Sequence, residues 1–167
     1  MATIQDIRGA NTPQKNYEFE VELIGSVAGG DLPILTQRVQ NAVIPQKSVE
    51  TIEINFKAGK TGHSGRDSSS HNNTITFWED EEHNISNFFR AWLEAINNSE
   101  TGAGTSRDQY EAQMRVVQFA SDGQTVTNSW ILTKVFPIDM GDVTLAYDGS
   151  ELQTVDITFW HDTCKPE

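Results

Sequence analysis

From Tyr17 the chain alternates: Tyr17, Phe19, Val21 and Leu23 are apolar, and Glu18, Glu20 and Glu22 lie between them. A period of two puts the sets on opposite faces of a strand, one buried and one wet. Gly25 and Ala28-Gly29-Gly30-Asp31 break the pattern and predict a loop. A second run, from about Ile34 to Val43, ends at Ile44-Pro45, because proline removes a ladder donor and restricts the residue before it. Val49 to Lys57 alternates again, with Ile52, Ile54 and Phe56 on one side and Thr51, Glu53, Asn55 and Lys57 on the other. Asn73 to Trp78 reads as a strand through Ile75 and Phe77.

The period then changes. Ile85, Phe88, Phe89, Trp92, Leu93 and Ile96 recur at helical spacing and form one apolar stripe, predicting a helix over about 81–97 that buries this face. Asp80 is its expected N-cap, and Glu81 and Glu82 in the first turn suit the positive end of the helix dipole. Asn97-Asn98 is the expected stop.

After the polar stretch Ser99 to Asp108, strands are predicted near Gln113 to Ala120 and from Thr125 to Phe136, joined by the tight-turn signal Ser121-Asp122-Gly123. Pro137 should stop the second of them. Leu152 to Trp160 gives a last strand, Val155, Ile157 and Phe159 alternating with polar residues. About seven strands and one substantial helix predict a mainly β fold of the α+β kind. The expected form is an antiparallel β-sandwich or half-open barrel with the helix packed on it. The domain should span 17–160, preceded by a polar arm, 1–16, and followed by a C-terminal tail, 161–167.

One segment differs from the rest. Residues 58–71 are rich in glycine and serine, net basic, and empty of large apolar side chains. They cannot bury enough surface to order themselves and read as a long loop.

The 167 residues carry 24 Asp and Glu against 12 Lys and Arg, a formal charge of −12. Such a surface repels phosphate backbones and anionic lipid, which disfavours tight nucleic-acid or membrane binding. The single cysteine, Cys164, excludes an intrachain disulfide and a multi-cysteine metal site. No basic stretch followed by an apolar core opens the chain, so no secretory signal is expected. No apolar run approaches the ~20 residues of a membrane span, so no membrane anchor is expected.

Catalytic constellations are weak. His63 and His71 fall in the predicted loop, and His83 in the expected first helical turn, as a solvated residue. His161 and Cys164 could be a ligand pair or a nucleophile with its base, but read more simply as part of a frayed tail. Glu79-Asp80-Glu81-Glu82 could recruit a hard cation, and a solvated helix start explains it as well. Glu18, Glu20 and Glu22 share a strand face and could act as acid and base, or form its wet side. Gly59-Lys60-Thr61 lacks the first glycine of a phosphate loop, and no helix follows. No catalytic residue, metal or cofactor is therefore assigned. Strands left with open edges give a physical motive for self-assembly.

Several stretches, read in order, resemble the tail tube proteins of contractile-tailed bacteriophages. Asn16-Tyr17-Glu18-Phe19-Glu20-Val21 is similar to the family's first strand. Asn41-Ala42-Val43-Ile44-Pro45, with the strand and Gly-rich segment after it, resembles the second and third strands with their long connecting hairpin. Thr74-Ile75-Thr76-Phe77-Trp78-Glu79-Asp80 into Phe88-Phe89-Arg90-Ala91-Trp92 resembles the strand-to-helix passage. Gln118 to Thr127, Trp130 to Pro137, Gly141-Asp142-Val143 and Glu151 to Thr158 look like the remainder. The resemblance spans nearly the whole chain and rests on collinearity rather than on one motif.

It implies a structural, non-enzymatic subunit of the virion tail, made in the host bacterial cytoplasm. Copies would form hexameric rings stacked into a tube, each adding strands to a continuous inner β-barrel. Implied partners are further copies, the tail sheath protein, the baseplate tube initiator, the tail terminator, the tape-measure protein in the lumen, and DNA as a passing, weakly interacting cargo. Alternation suggests that Arg38, Gln40, Thr51, Glu53, Asn55, Thr127 and Thr133 face the bore, opposite Ile52, Ile54, Phe56, Trp130 and Leu132 in the wall. Lys60, His63, Arg66 and Asp67, with Ile4 and Ile7 of the arm, are the expected contacts between subunits and rings. The alternatives are the tube of a tailocin or type VI secretion system, a baseplate tube initiator, a small metal-dependent enzyme, or a monomeric ligand-binding sandwich.

Overall fold

The computed structural model describes residues 17–25, 36–143, 145 and 151–167. Alternation builds strands β1 (Phe19–Ile24), β2 (Val39–Ala42), β3 (Val49–Phe56), β4 (Gly59–Asp67) and β5 (Asn72–Trp78). The helical stripe becomes α1 (Asn84–Ile96), and the short α2 (Arg107–Tyr110) follows. Strands β6 (Ala112–Phe119), β7 (Val126–Met140), β8 (Thr154–Trp160) and β9 (Thr163–Pro166) complete the described chain. Among the described residues, seven strands form one sheet, in the order β1-β6-β7-β8-β5-β2 with β9 also on β7, while β3 and β4 pair only with each other. Every pairing is antiparallel, so the mainly β class expected from the sequence is the one observed.

The sheet folds over because β7 serves both halves. Its first part pairs with β6 and β9, and its last part, from Phe136, with β8. Strands β8 and β9 run consecutively along one edge of β7, with Trp160 opposite Phe136 and Thr163 opposite Thr133. At the bend Lys134 adopts φ 55°, a left-handed conformation that re-aims the strand.

The inward residues of five strands and the stripe of α1 make one core. Val21, Leu23, Ile75, Phe77, Met114, Val116, Leu132, Val135, Val155, Ile157 and Phe159 are buried there with Ile85, Phe89 and Trp92. Phe89 lies 5.3 Å from Phe77 and 5.6 Å from Phe159, ring centre to ring centre. Of the rest of the stripe, Phe88 and Ile96 are half-buried against this core and Leu93 is half-buried. The Trp92 indole N–H donates to the Tyr110 carbonyl at 2.9 Å, tying α1 to α2.

Five expectations need correction. Residues 58–71 are not a structureless loop: most of them form β4, ordered by its backbone ladder to β3 rather than by buried side chains. Pro137 does not end its strand, because the register shifts between Pro137 and Asp139, and at such a bulge the missing donor costs little. Residues 161–167 are not a frayed tail, since His161 is buried and β9 extends the sheet. The helix starts at Asn84, so Glu81 and Glu82 precede it, and His83 rather than Asp80 holds the cap position, without a side-chain cap bond. Among the described residues the second strand is Val39–Ala42, and Ile34 and Leu35 of the expected run lie outside them. Residues 1–16, including Ile4 and Ile7, lie outside the described residues.

Candidate assembly surface

Among the described residues, the β3–β4 ribbon is the part of the fold with no internal cover. Every residue of β3 is exposed, and all of β4 except the half-buried Gly65. Register places Thr51, Glu53 and Asn55 opposite Ser64, Gly62 and Lys60, and Ile52, Ile54 and Phe56 opposite His63, Thr61 and Gly59. Cross-strand partners share a face, so one side of the ribbon is polar and the other carries an apolar row. That row stays 55% (Ile52), 43% (Ile54) and 59% (Phe56) exposed in the single chain, where a core-forming row would be near zero.

The glycines of β4 have a packing reason. A Cβ at Gly65 would come within 3.0 Å of the Glu50 Cβ and 3.1 Å of its carbonyl oxygen, and one at Gly62 within 3.1 Å of the Thr51 methyl. Close backbone approach, not loop flexibility, is what they supply. At the ribbon root the Ser68 N–H donates to the Ser48 carbonyl at 3.0 Å, and the Ser48 N–H donates to the Ser69 hydroxyl at 3.0 Å. Asp67 accepts from both the hydroxyl and the backbone N–H of Ser69, which holds its carboxyl below the ordinary range.

The residues expected at the bore divide into three groups. Thr51, Glu53 and Asn55 share the polar face of the ribbon, and Lys60 on that face bridges to Glu53 at 3.1 Å. Gln40 is exposed on β2; Arg38, just before it, pairs with Asp80 at 3.1 Å. Thr127 and Thr133 lie on β7 in alternation with Trp130 and Leu132, of which Leu132 is fully buried and Trp130 half-buried. The Thr127 hydroxyl donates to the Gln118 carbonyl at 3.2 Å, and the hydroxyls of Thr133 and Thr163 share a bond of 2.7 Å. Of the expected contact residues, Lys60, His63, Arg66 and Asp67 are all exposed on β4.

Two further edges are open. Among the described residues β1 pairs only with β6 and β2 only with β5. Phe19 of β1 and Asn41 and Ala42 of β2 line one cavity of about 230 Å³ between these edges.

Two of the carboxylates considered for chemistry serve the helix start. Glu79 and Asp80 accept from the first N–H groups of α1, and Asp80 is held below the ordinary range by Asn84 first and then by Arg38. Burial pushes the Cys164 thiol up, away from the thiolate a nucleophile needs. Among the described residues no three His, Cys, Asp or Glu side chains converge on a possible metal position, and no helix is long and apolar enough to cross a membrane. Sequence reasoning missed the buried position of His161, whose bonded neighbour His71 lies 90 residues away along the chain.

Comparison with known proteins shows the family and the fold. The family model described as phage tail tube protein matches residues 11–164. The tail tube protein gp19 of Enterobacteria phage T6 is 27% identical over 125 residues, which cover 74% of this chain and 76% of that protein. Its counterpart in Enterobacteria phage T4 matches equally. Among solved structures, the sheath/tube terminator of the PVC extracellular contractile injection system superposes with TM-score 0.68 at 15% identity, covering 95% of this chain and 99% of that one. The tube-terminating cap of the anti-feeding prophage also reaches 0.68, at 19% identity and covering 100% and 99%. At these identities the structural likeness is one of fold.

Proposed function

This chain belongs to the phage tail tube protein family, and from that premise we propose that its copies close into hexameric rings stacked as the hollow tube of a contractile tail. Phage tail tube proteins are structural components of the virion. The observation that carries the proposal is the uncovered ribbon, β3–β4. A two-stranded ribbon is marginally stable alone and needs a further strand or an apolar neighbour. Burying an Ile or Phe side chain fully is worth about 1.5–3 kcal/mol, and about half of that is still available at Ile52, Ile54 and Phe56. Docking this row on another copy would therefore contribute about 2–4 kcal/mol. Pairing of the β1 and β2 edges with neighbouring copies would close the barrel and remove exposed ladder groups.

In this arrangement the polar face with Thr51, Glu53 and Asn55, joined by Arg38, Gln40, Thr127 and Thr133, lines the bore. Lys60, His63, Arg66 and Asp67, with Ile4 and Ile7, bridge subunits and rings. An acidic or neutral bore repels phosphates over about one Debye length, ~8–10 Å, so DNA passes without stalling. The lumen holds the tape-measure protein before DNA, a sheath surrounds the tube and drives it through the envelope, and a terminator and a baseplate initiator close its ends. The shared fold with chains described as a sheath/tube terminator and a tube cap supports such neighbours. The subunit is made in the host cytoplasm and acts as a passive conduit without catalysis. A second reading, the tube of a non-phage injection machine, is favoured by those same two likenesses; genes beside this one, capsid and terminase or secretion ATPase, would separate the two.

Negative-stain microscopy of the purified chain tests the proposal. Rings or tubes with a central channel are expected as concentration rises. A monodisperse single subunit at high concentration would overturn it.

A further inference from the structure

The ribbon joins the body at a pair of histidines. His71 lies between β4 and β5, and His161 between β8 and β9. The two backbones hold each other: the His161 N–H donates to the His71 carbonyl at 2.9 Å, and Nδ1–H of His71 donates to the His161 carbonyl at 3.0 Å. The His71 ring stacks on Trp160 at 5.1 Å and lies 5.9 Å from the His161 ring. His161 is only 2% exposed, and its Nδ1 is buried without a hydrogen-bond partner among the described residues. Both histidines line a cavity of about 650 Å³ that also touches Lys47 and Asp67 at the ribbon root.

We propose that His71 and His161 form an acid-sensitive latch, which fixes the root of the β3–β4 ribbon to the body while His161 is neutral and releases it when His161 gains a proton. A charged imidazole at 161 would be buried with an unsatisfied donor and would face a second imidazole across the joint. The charged groups around it give little relief. Asp162 already accepts from Arg107 at 2.6 Å and from the Trp160 indole at 3.2 Å, and Asp67 is held by Ser69. Lys47 and Lys165, which line the same cavity, are cations, and Cys164 there is kept as the thiol.

Burial first, and then His71, push His161 below its ordinary value, while Asp162 opposes them weakly. In the opened joint His161 would titrate near the ordinary ~6.5. The open state therefore binds more protons than the latched one as pH falls below about 6.5, and the latch is fully closed only above that value. Its consequence for assembly rests on the tube reading above; the latch itself is a property of the single subunit.

The experiment is hydrogen exchange of the full-length subunit, corrected for intrinsic rates, at about pH 7.5 and about pH 5.5, with the wild type beside His161→Phe, which keeps a ring but takes no proton. In the wild type, protection of residues 59–72 should fall by up to about tenfold for each pH unit between the two titration points, while β6 stays protected. In His161→Phe the ribbon should respond no more than β6 does. Where the phenylalanine variant fails to fold, His161→Gln takes its place. An equal acid response in wild type and variant, or none in the wild type, overturns the latch. Absence of tubes at pH 7.5 with the acid response intact would count against the tube reading alone.

Discussion

Glu79, one residue past the end of β5, reaches across the turn to Ser86 in the first turn of α1. The Ser86 N–H donates to Glu79 Oε2 at 3.0 Å and the Ser86 hydroxyl to the same oxygen, while the Ile85 N–H donates to Oε1 at 3.2 Å. One carboxylate thereby satisfies helix N–H groups that would lack partners and fixes α1 to the sheet it covers.

Replacing Glu79 with alanine should then cost about 1–2 kcal/mol, the usual loss of a helix cap. Urea unfolding measures it, with Glu81→Ala as the control. The control should lie within about 0.5 kcal/mol of wild type, because Glu81 precedes the helix and caps nothing. Equal losses in the two variants would mean that general charge at the helix start, not the Glu79–Ser86 link, is responsible.

The ribbon row separates assembly from folding. Phe56→Glu puts a charge on a side chain that is 59% exposed in the single chain. Thermal unfolding of the subunit should stay within about 0.5 kcal/mol of wild type. Tube formation, followed by light scattering and microscopy, should be lost, since docking would bury an unpaired carboxylate. Tubes of normal length from this variant would remove the apolar row from the interface.

Gly65→Val tests whether β4 depends on close approach. The added side chain would push on the Glu50 backbone across the bulge. Amide protection should drop along 49–67 and remain intact along β6, whose core contacts do not involve the ribbon. Unchanged protection in β4 would show that the strand yields without cost.

Glu53→Lys addresses the bore. The substitution replaces the Glu53–Lys60 pair with two like charges on the ribbon's polar face. In phage carrying it, DNA ejection should slow while tails still assemble, because a cationic ring retains phosphate. Normal ejection kinetics would place Glu53 away from the passage.

Asp122 offers a pH reading at the β6–β7 turn. Bonds from Thr125 first, through its hydroxyl and its N–H, and then from the Gln124 N–H lower its carboxyl to about 2. A depressed folded value means that Asp122 stabilises the turn above its unfolded value of about 4, and that this contribution is lost as pH falls toward 2. Carboxyl carbon NMR should place its midpoint near 2, and Asp122→Asn should abolish that part of the acid dependence. A midpoint near 4 would mean that the turn bonds do not form in solution.

The residues differ in how far they could be read in advance. The stripe from Ile85 to Ile96 and the alternations in β1, β5 and β8 are local patterns, and a local period is set by backbone geometry before any tertiary contact forms. The polar and apolar faces of β3 were legible for the same reason. Glu79 was not legible as the cap, since only the path of the chain between β5 and α1 brings it to Ser86. Nor was β4: Gly59 to Asp67 has no pattern of its own, and its order comes from a ladder to β3.

What the sequence alone determined is therefore the set of elements with internal periodicity, the acidic surface, and, through collinear resemblance, the family. What only the tertiary structure decided is everything that depends on a partner distant along the chain. That includes the passage of β7 through Pro137 at a bulge against β8, the capture of Thr163–Pro166 by β7, and the burial of His161 beside His71, 90 residues away. Such pairings follow from the free energy of the assembled sheet rather than from the propensities of the segments that make it.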